Sequence, residues 1–142
     1  MKILILCTGN SCRSQIAHGF LQSFDNRLEV FSAGTKPAEK VNLMAVKVMD
    51  EMGIDLSNHS PKSVNLYIGQ EWDYVITVCG GANENCPLFT GKVKNRLHIG
   101  FDDPLEATGT SEFINREFHR VRDEIKACFY EFYLNELRPQ MI

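Results

Sequence analysis

The chain has 142 residues with five cysteines, and its charges sum to −3 at neutral pH. That length suits one core, and an acidic balance without a basic stripe argues against nucleic acid as a partner. The apolar run behind Lys2 covers about four residues, far short of a signal peptide or a membrane span, so a cytoplasmic location without membrane attachment is expected.

Ile3, Leu4, Ile5 and Leu6 form the unbroken apolar run of a buried parallel strand, placed at residues 2 to 6. Cys7-Thr8-Gly9-Asn10-Ser11-Cys12-Arg13-Ser14 follows, and residues 14 to 25 then carry Ile16, Ala17, Phe20, Leu21 and Phe24 at helical spacing. A loop between a strand end and a helix start can turn its backbone N–H groups inward around a tetrahedral oxyanion. Five residues separate Cys7 from Arg13, whose planar guanidinium closes the ring as a fork on two ligand oxygens. The same positive surroundings favour charge on sulfur and lower the Cys7 pKa, making it a candidate thiolate nucleophile. Thr8, Gly9, Asn10, Ser11, Cys12 and Arg13 are the expected oxyanion-binding residues. The bland alternative is a buried structural cysteine before an ordinary helix cap, which the glycine and the hydroxyls of Thr8, Ser11 and Ser14 disfavour. Cys12 is either a small packing residue or a disulfide partner for Cys7.

Residues 28 to 32 read as a second strand ending at Ala33-Gly34, and residues 41 to 52 as a helix stopped by Gly53. Residues 60 to 69 are ambiguous, 72 to 78 form a strongly apolar strand, and 96 to 99 a shorter one. From 111 to about 137 a long helix keeps Phe118, Val121, Ile125, Cys128 and Phe132 on one face, which places Cys128 in the core. Strands alternating with helices predict an α/β fold, a three-layer αβα arrangement around a central four-stranded parallel sheet. Ligands in such folds bind beyond the carboxyl ends of the strands, where Cys7, Cys79 and Asp103 all fall.

After the third strand comes Cys-Gly-Gly-Ala-Asn-Glu-Asn-Cys-Pro, with Cys79 and Cys86 seven positions apart in a segment whose glycines and asparagines rearrange cheaply. The pair can close a disulfide after local refolding, or it can be two unrelated small residues beside a surface loop. Six intervening residues exceed the usual gap between paired zinc ligands, and His18, His59, His98 and His119 are scattered, so no metal is assigned. After the fourth strand, Gly100-Phe101-Asp102-Asp103-Pro104 offers a carboxyl group aimed at the cradle as a proton donor, or an ordinary turn or helix cap before proline.

CTGNSCRS resembles the active loop of the low-molecular-weight protein tyrosine phosphatase superfamily. Over nearly its whole length the chain is similar to the thioredoxin-coupled arsenate reductases of that superfamily, through CTGNSCRSQ at 7 to 15, SAG at 32 to 34, Cys79-x6-Cys86-Pro, GFDDP at 100 to 104 and RVRDEIK at 120 to 126. The resemblance implies the phosphatase-like fold, a single catalytic domain over residues 1–142, and arsenate as substrate. It further implies Cys7 as nucleophile aided by Arg13 and Ser14, Asp103 rather than Asp102 as general acid, and oxidation passed through Cys79 and Cys86 to reduced thioredoxin, with no bound cofactor. A phosphatase acting on phosphate monoesters through a Cys7 phosphocysteine needs only Cys7, Arg13 and Asp103 and is the alternative. A redox- or arsenic-sensing module finds no basic DNA-reading helix to support it. Some family members hold a structural potassium ion beside the loop with acidic residues. The matching positions here are His18 and Lys62, and the Lys62 ammonium is expected to stand in for the ion, with Asn10 and Ser32 bracing the loop.

Overall fold

The apolar run behind Lys2 becomes β1 (Lys2–Cys7), whose Ile3, Leu4, Ile5 and Leu6 are fully buried because both faces of the strand are covered. In the computed structural model, which describes residues 1–80 and 88–142, β1 lies between β2 (Glu29–Gly34) and β3 (Glu71–Thr77), and β4 (Lys92–His98) borders β3. Every pairing is parallel and the order is β2-β1-β3-β4, so the ends of β1 and β3 emerge side by side. This is the α/β fold expected from the alternation of elements. β4 is longer than residues 96 to 99 because its ladder begins at Lys92. Lys92, Lys94, Asn95 and Arg96 give it no apolar signature, and charged residues suit an exposed edge that must not pair with another chain.

Among the described residues, α1 (Arg13–Phe24), α2 (Leu43–Asp50) and α3 (Ser111–Phe132) bury one core with one face of the sheet. Phe20 and Leu21, Val48 and Met49, and Val121 and Ile125 meet Ile3, Ile5, Val30 and Ile76 there. Leu4, Leu6, Ala33 and Val75 form a smaller core on the opposite side with Trp72, Val64, Tyr67 and Phe89. The ambiguous segment thus supplies a 3-10 turn, Val64–Leu66, and Tyr67, whose carbonyl accepts from the Trp72 indole at 3.0 Å. Asn42 starts α2 by accepting from the Met44 and Ala45 amides, while its own N–H donates to Ser11 O at 2.8 Å, so the helix start is tied to the loop after β1. The last helix loosens into a wide turn at Tyr133–Leu137, which buries Tyr133 and Leu137 and lets the Tyr133 hydroxyl donate to Asp25 Oδ2 at 2.7 Å.

Cys128 is exposed, contrary to its expected place in the core. At about 100° per residue it lies at the flank of the stripe, and Phe129, on the other side of Ile125, fills the interior. Partial burial, followed by the Glu131 and Glu124 carboxylates, pushes the Cys128 thiol above its ordinary pKa. Phe129→Ala is therefore expected to cost about 3–5 kcal/mol in urea unfolding, and Cys128→Ser to stay within about 0.5 kcal/mol. Equal losses from the two substitutions would return Cys128 to the core.

Candidate active site

The loop that leaves β1 is held from outside. Thr8 O accepts from Lys36 N–H at 3.0 Å, Gly9 O from Ala38 N–H at 2.9 Å, and Ser11 O from Asn42 N–H at 2.8 Å. A trans peptide points its N–H away from its C=O, so these contacts turn the amides of Gly9, Asn10 and Cys12 toward the inside. Gly34 makes the contact possible, because a Cβ there would sit 2.3 Å from Thr8 O. Asn10 has φ 51, a left-handed conformation that asparagine tolerates better than most residues. Its side chain is fully buried and used from several directions: Nδ2 donates to Ser14 Oγ at 2.8 Å, and Oδ1 accepts from Lys62 N–H at 2.9 Å and from Gln15 Nε2 at 3.2 Å.

Cys7 closes β1 and is buried at the foot of this loop, and Arg13 opens α1 on its other side. The Arg13 guanidinium, only 4% exposed, donates from one terminal nitrogen to Phe101 O at 3.0 Å and lies 3.5 Å from Asp103 Oδ2 with the other. The segment after β4 thereby sets the orientation of a charge that belongs to α1. Asp103 Oδ1 accepts from Leu105 N–H at 3.0 Å and caps a short turn at Pro104–Glu106, which leaves the second oxygen facing Arg13. The cap and the proton donor, alternatives in the sequence, are compatible uses of one carboxyl group. Asp102 instead pairs with Arg120 at 3.1 Å on the surface.

Cys12 is 3% exposed at the start of α1. Burial pushes its thiol well above the ordinary value, the Asp103 carboxylate adds to that, and Arg13 only partly opposes it. The thiolate form of Cys12 is therefore disfavoured. Cys79 is fully buried just beyond β3, next to Val78, whose N–H donates to Leu6 O at 3.0 Å. The ends of β3 and β4 press backbone on backbone at this point. A Cβ on Gly80 would fall 2.4 Å from Phe101 O, and one on Gly100 would fall 2.9 Å from Cys79 O. The structure therefore groups Cys7, Arg13, Ser14 and Asp103 with the loop from Thr8 to Cys12, and sets Cys79 at the neighbouring strand end. Cys86, within residues 81–87, lies outside the described residues.

The Lys62 expectation needs correction. The main-chain N–H of Lys62 reaches the loop, at Asn10 Oδ1, and its carbonyl accepts from Gly34 N–H at 2.9 Å, while the exposed ammonium makes no hydrogen bond or ion pair with the described residues. The Lys62 side chain borders the pocket formed with Gln15, His18, Ser32 and His59. Gln15, His59 and the carbonyl of Phe101 are site residues the sequence reading gave no role. Gln15 stood within the loop motif, but His59 and Phe101 carried no local signal. Among the described residues no group of three or more His, Cys, Asp or Glu side chains could hold a metal ion, and no helix is long and apolar enough to cross a membrane.

Comparison with known proteins identifies the family. The low molecular weight phosphotyrosine protein phosphatase family matches residues 2–141. The arsenate reductase of Shouchella clausii is 47% identical over 92% of this chain and 93% of its own. A solved arsenate reductase in the phosphate binding state has a TM-score of 0.77 at 25% identity, covering 94% of this chain and 96% of that one. A thioredoxin-dependent arsenate reductase from Corynebacterium glutamicum has a TM-score of 0.61 at 26% identity, covering 95% of this chain and 63% of that longer one. By sequence and by fold, the chain belongs to the low molecular weight phosphotyrosine protein phosphatase family, in the branch of its arsenate reductases.

Proposed function

We propose that this protein is a cytoplasmic arsenate reductase that works through a relay of Cys7, Cys79 and Cys86 and is regenerated by thioredoxin. One observation carries the reading: a second thiol, Cys79, leaves the strand beside the one that delivers Cys7 to an oxyanion loop. Ester hydrolysis has no use for that thiol.

Arsenate matches phosphate in shape and charge, so the inward amides of the loop and the Arg13 guanidinium bind it. The Cys7 thiolate attacks arsenic, forming a sulfur–arsenic bond, while one oxygen departs as water with a proton from Asp103. Arg13 and the loop amides oppose the charge that builds on the remaining oxygens. Cys79 thiolate then attacks the Cys7 sulfur. The new disulfide takes the place of the sulfur–arsenic bond, whose electron pair goes to arsenic, and arsenite leaves. Cys86 thiolate attacks the Cys79 sulfur, freeing Cys7 and leaving a Cys79–Cys86 disulfide for the thioredoxin dithiol to reduce. Each turnover thus oxidises one thioredoxin dithiol and reduces one arsenate. A phosphatase acting on phosphate monoesters is the second reading, supported by the sufficiency of Cys7, Arg13 and Asp103 for a phosphocysteine cycle.

Cys86→Ser is expected to yield no more than one equivalent of arsenite per enzyme in the presence of thioredoxin, while retaining any aryl phosphate hydrolysis. Sustained arsenate turnover by that variant would defeat the relay. Arg13→Lys reduces a two-point contact to one, a loss of about 1.5–3 kcal/mol, and is expected to lower kcat/KM about 10- to 100-fold for both substrates. Because the two adjacent aspartates face different partners, Asp103→Asn should slow turnover about 100-fold or more, and Asp102→Asn should change it by no more than a few-fold. Equal losses in steady-state kinetics would reassign the acid.

A further inference from the structure

The flank of the loop where the family resemblance implies a potassium ion is chemically unsuited to one. A cavity of about 370 Å³ there is lined by Gln15, His18, Ser32, His59, Lys62 and neighbouring uncharged residues, with no carboxylate among the lining side chains. Hard cations favour sites that include carboxylates, whereas this wall sets two imidazoles and a lysine beside only the neutral oxygens of Gln15, Ser32, Asn58 and Ser60.

The imidazoles connect to the loop by a continuous chain. The His18 and His59 rings lie 4.8 Å apart at 50°, and His18 Nδ1 is 2.9 Å from Ser32 Oγ. His59 Nδ1 is 2.9 Å from Gln15 Oε1. Gln15 Nε2 donates to Asn10 O at 3.1 Å, to Asn10 Oδ1 at 3.2 Å and to Ser60 O at 3.4 Å. Since the Gln15 nitrogen is the donor, its oxygen accepts, and His59 Nδ1 must carry the hydrogen. The chain ends on Asn10, the one described non-glycine residue with positive φ.

We propose that His59, acting through Gln15, is a positioning residue for the oxyanion loop, and that the His18–His59 pair stands where relatives use a cation. The pair does this without charge at neutral pH. Burial lowers the His18 pKa to about 4, with His59 adding to the effect, and burial also lowers that of His59, with Asp55 opposing. The ionisable groups that face the pair from other segments are Asp55, Lys62 and Tyr67, and burial raises the Tyr67 pKa, so it stays neutral. Loop order then depends on hydrogen-bond geometry and not on the cation present.

Inorganic phosphate, titrated calorimetrically into the full chain at pH 7, tests this without calling on the cysteine relay. Exchanging sodium for potassium is expected to leave the wild-type Kd within twofold. His59→Phe should weaken phosphate at least tenfold, and His59→Asn, whose amide donates from near the Nδ1 position, should recover it to within about threefold of wild type. Gln15→Met, similar in shape but without donor or acceptor, provides a second route should the phenylalanine variant not fold. Its expected loss is also at least tenfold. Potassium tightening phosphate fivefold or more, or wild-type affinity in either folded variant, overturns the proposal. Intact phosphate binding without thioredoxin-dependent arsenate turnover would sink the reductase reading instead. A pH series adds an independent arm. With a His18 pKa below its unfolded value of 6.5, the unfolded chain binds the proton first, so stability falls as pH drops from 6.5 toward about 4. The melting temperature of His18→Gln is expected to fall less over that window than that of wild type. An equal fall in both would overturn the uncharged pair.

Discussion

The oxyanion loop depends on having its carbonyls claimed from outside. Amides from residues 36 to 42 take the carbonyls of Thr8, Gly9 and Ser11, and the peptide planes are thereby fixed with their hydrogens inward. Each bond adds only about 0.5–1.5 kcal/mol net, but an orphaned buried carbonyl costs about 1–3 kcal/mol. A carbonyl turned inward would also face the anion with a lone pair. The turn after β2 therefore belongs to the active site even though it holds no catalytic group. Gly34 follows from the same constraint, since only a residue without Cβ lets β2 end this close to Thr8.

Arg13 shows how a buried charge is kept available for a ligand. A guanidinium this deeply buried needs partners. The Phe101 carbonyl and Asp103 meet that need at 3.0 and 3.5 Å, and both belong to the chain after β4. The contact to Asp103 is the looser of the two. It holds the carboxyl group beside the Arg13 guanidinium without committing either to a tight pair. Asp103 is itself fixed by its bond to Leu105 N–H, so its carboxyl group is aimed by a turn whose proline also fixes the chain direction.

How much of this the sequence carried depends on whether the information was local. Cys7 to Ser14 were legible because strand, loop and helix start are consecutive, and Asp103 stood out through its proline and the family pattern. Lys62 misled because a sequence displays side chains, and the group that reaches Asn10 is a backbone N–H. His59 carried no signal because its partner Gln15 lies 44 positions away. β4 was shortened because a charged edge strand lacks apolar alternation, and Cys128 was misplaced because helical spacing alone does not rank a flanking cysteine against a phenylalanine one residue on.

Cys12 and Cys79 are both buried and differ in position: Cys12 lies in the loop with Cys7, and Cys79 at the end of the neighbouring strand. Cys12, five positions from Cys7 in the same loop, is a potential competitor for the Cys7 sulfur once arsenic is bound, and a disulfide between them would lock the loop. Thiol–disulfide chemistry requires the attacking sulfur to be a thiolate. Burial holds the proton on Cys12, and the Asp103 carboxylate strengthens that hold more than Arg13 weakens it. The group proposed to protonate the departing oxygen, once ionised, thus adds to the effect of burial on the nearest thiol. In the proposed relay oxidation passes instead to Cys79, at the end of the strand beside the one that carries Cys7.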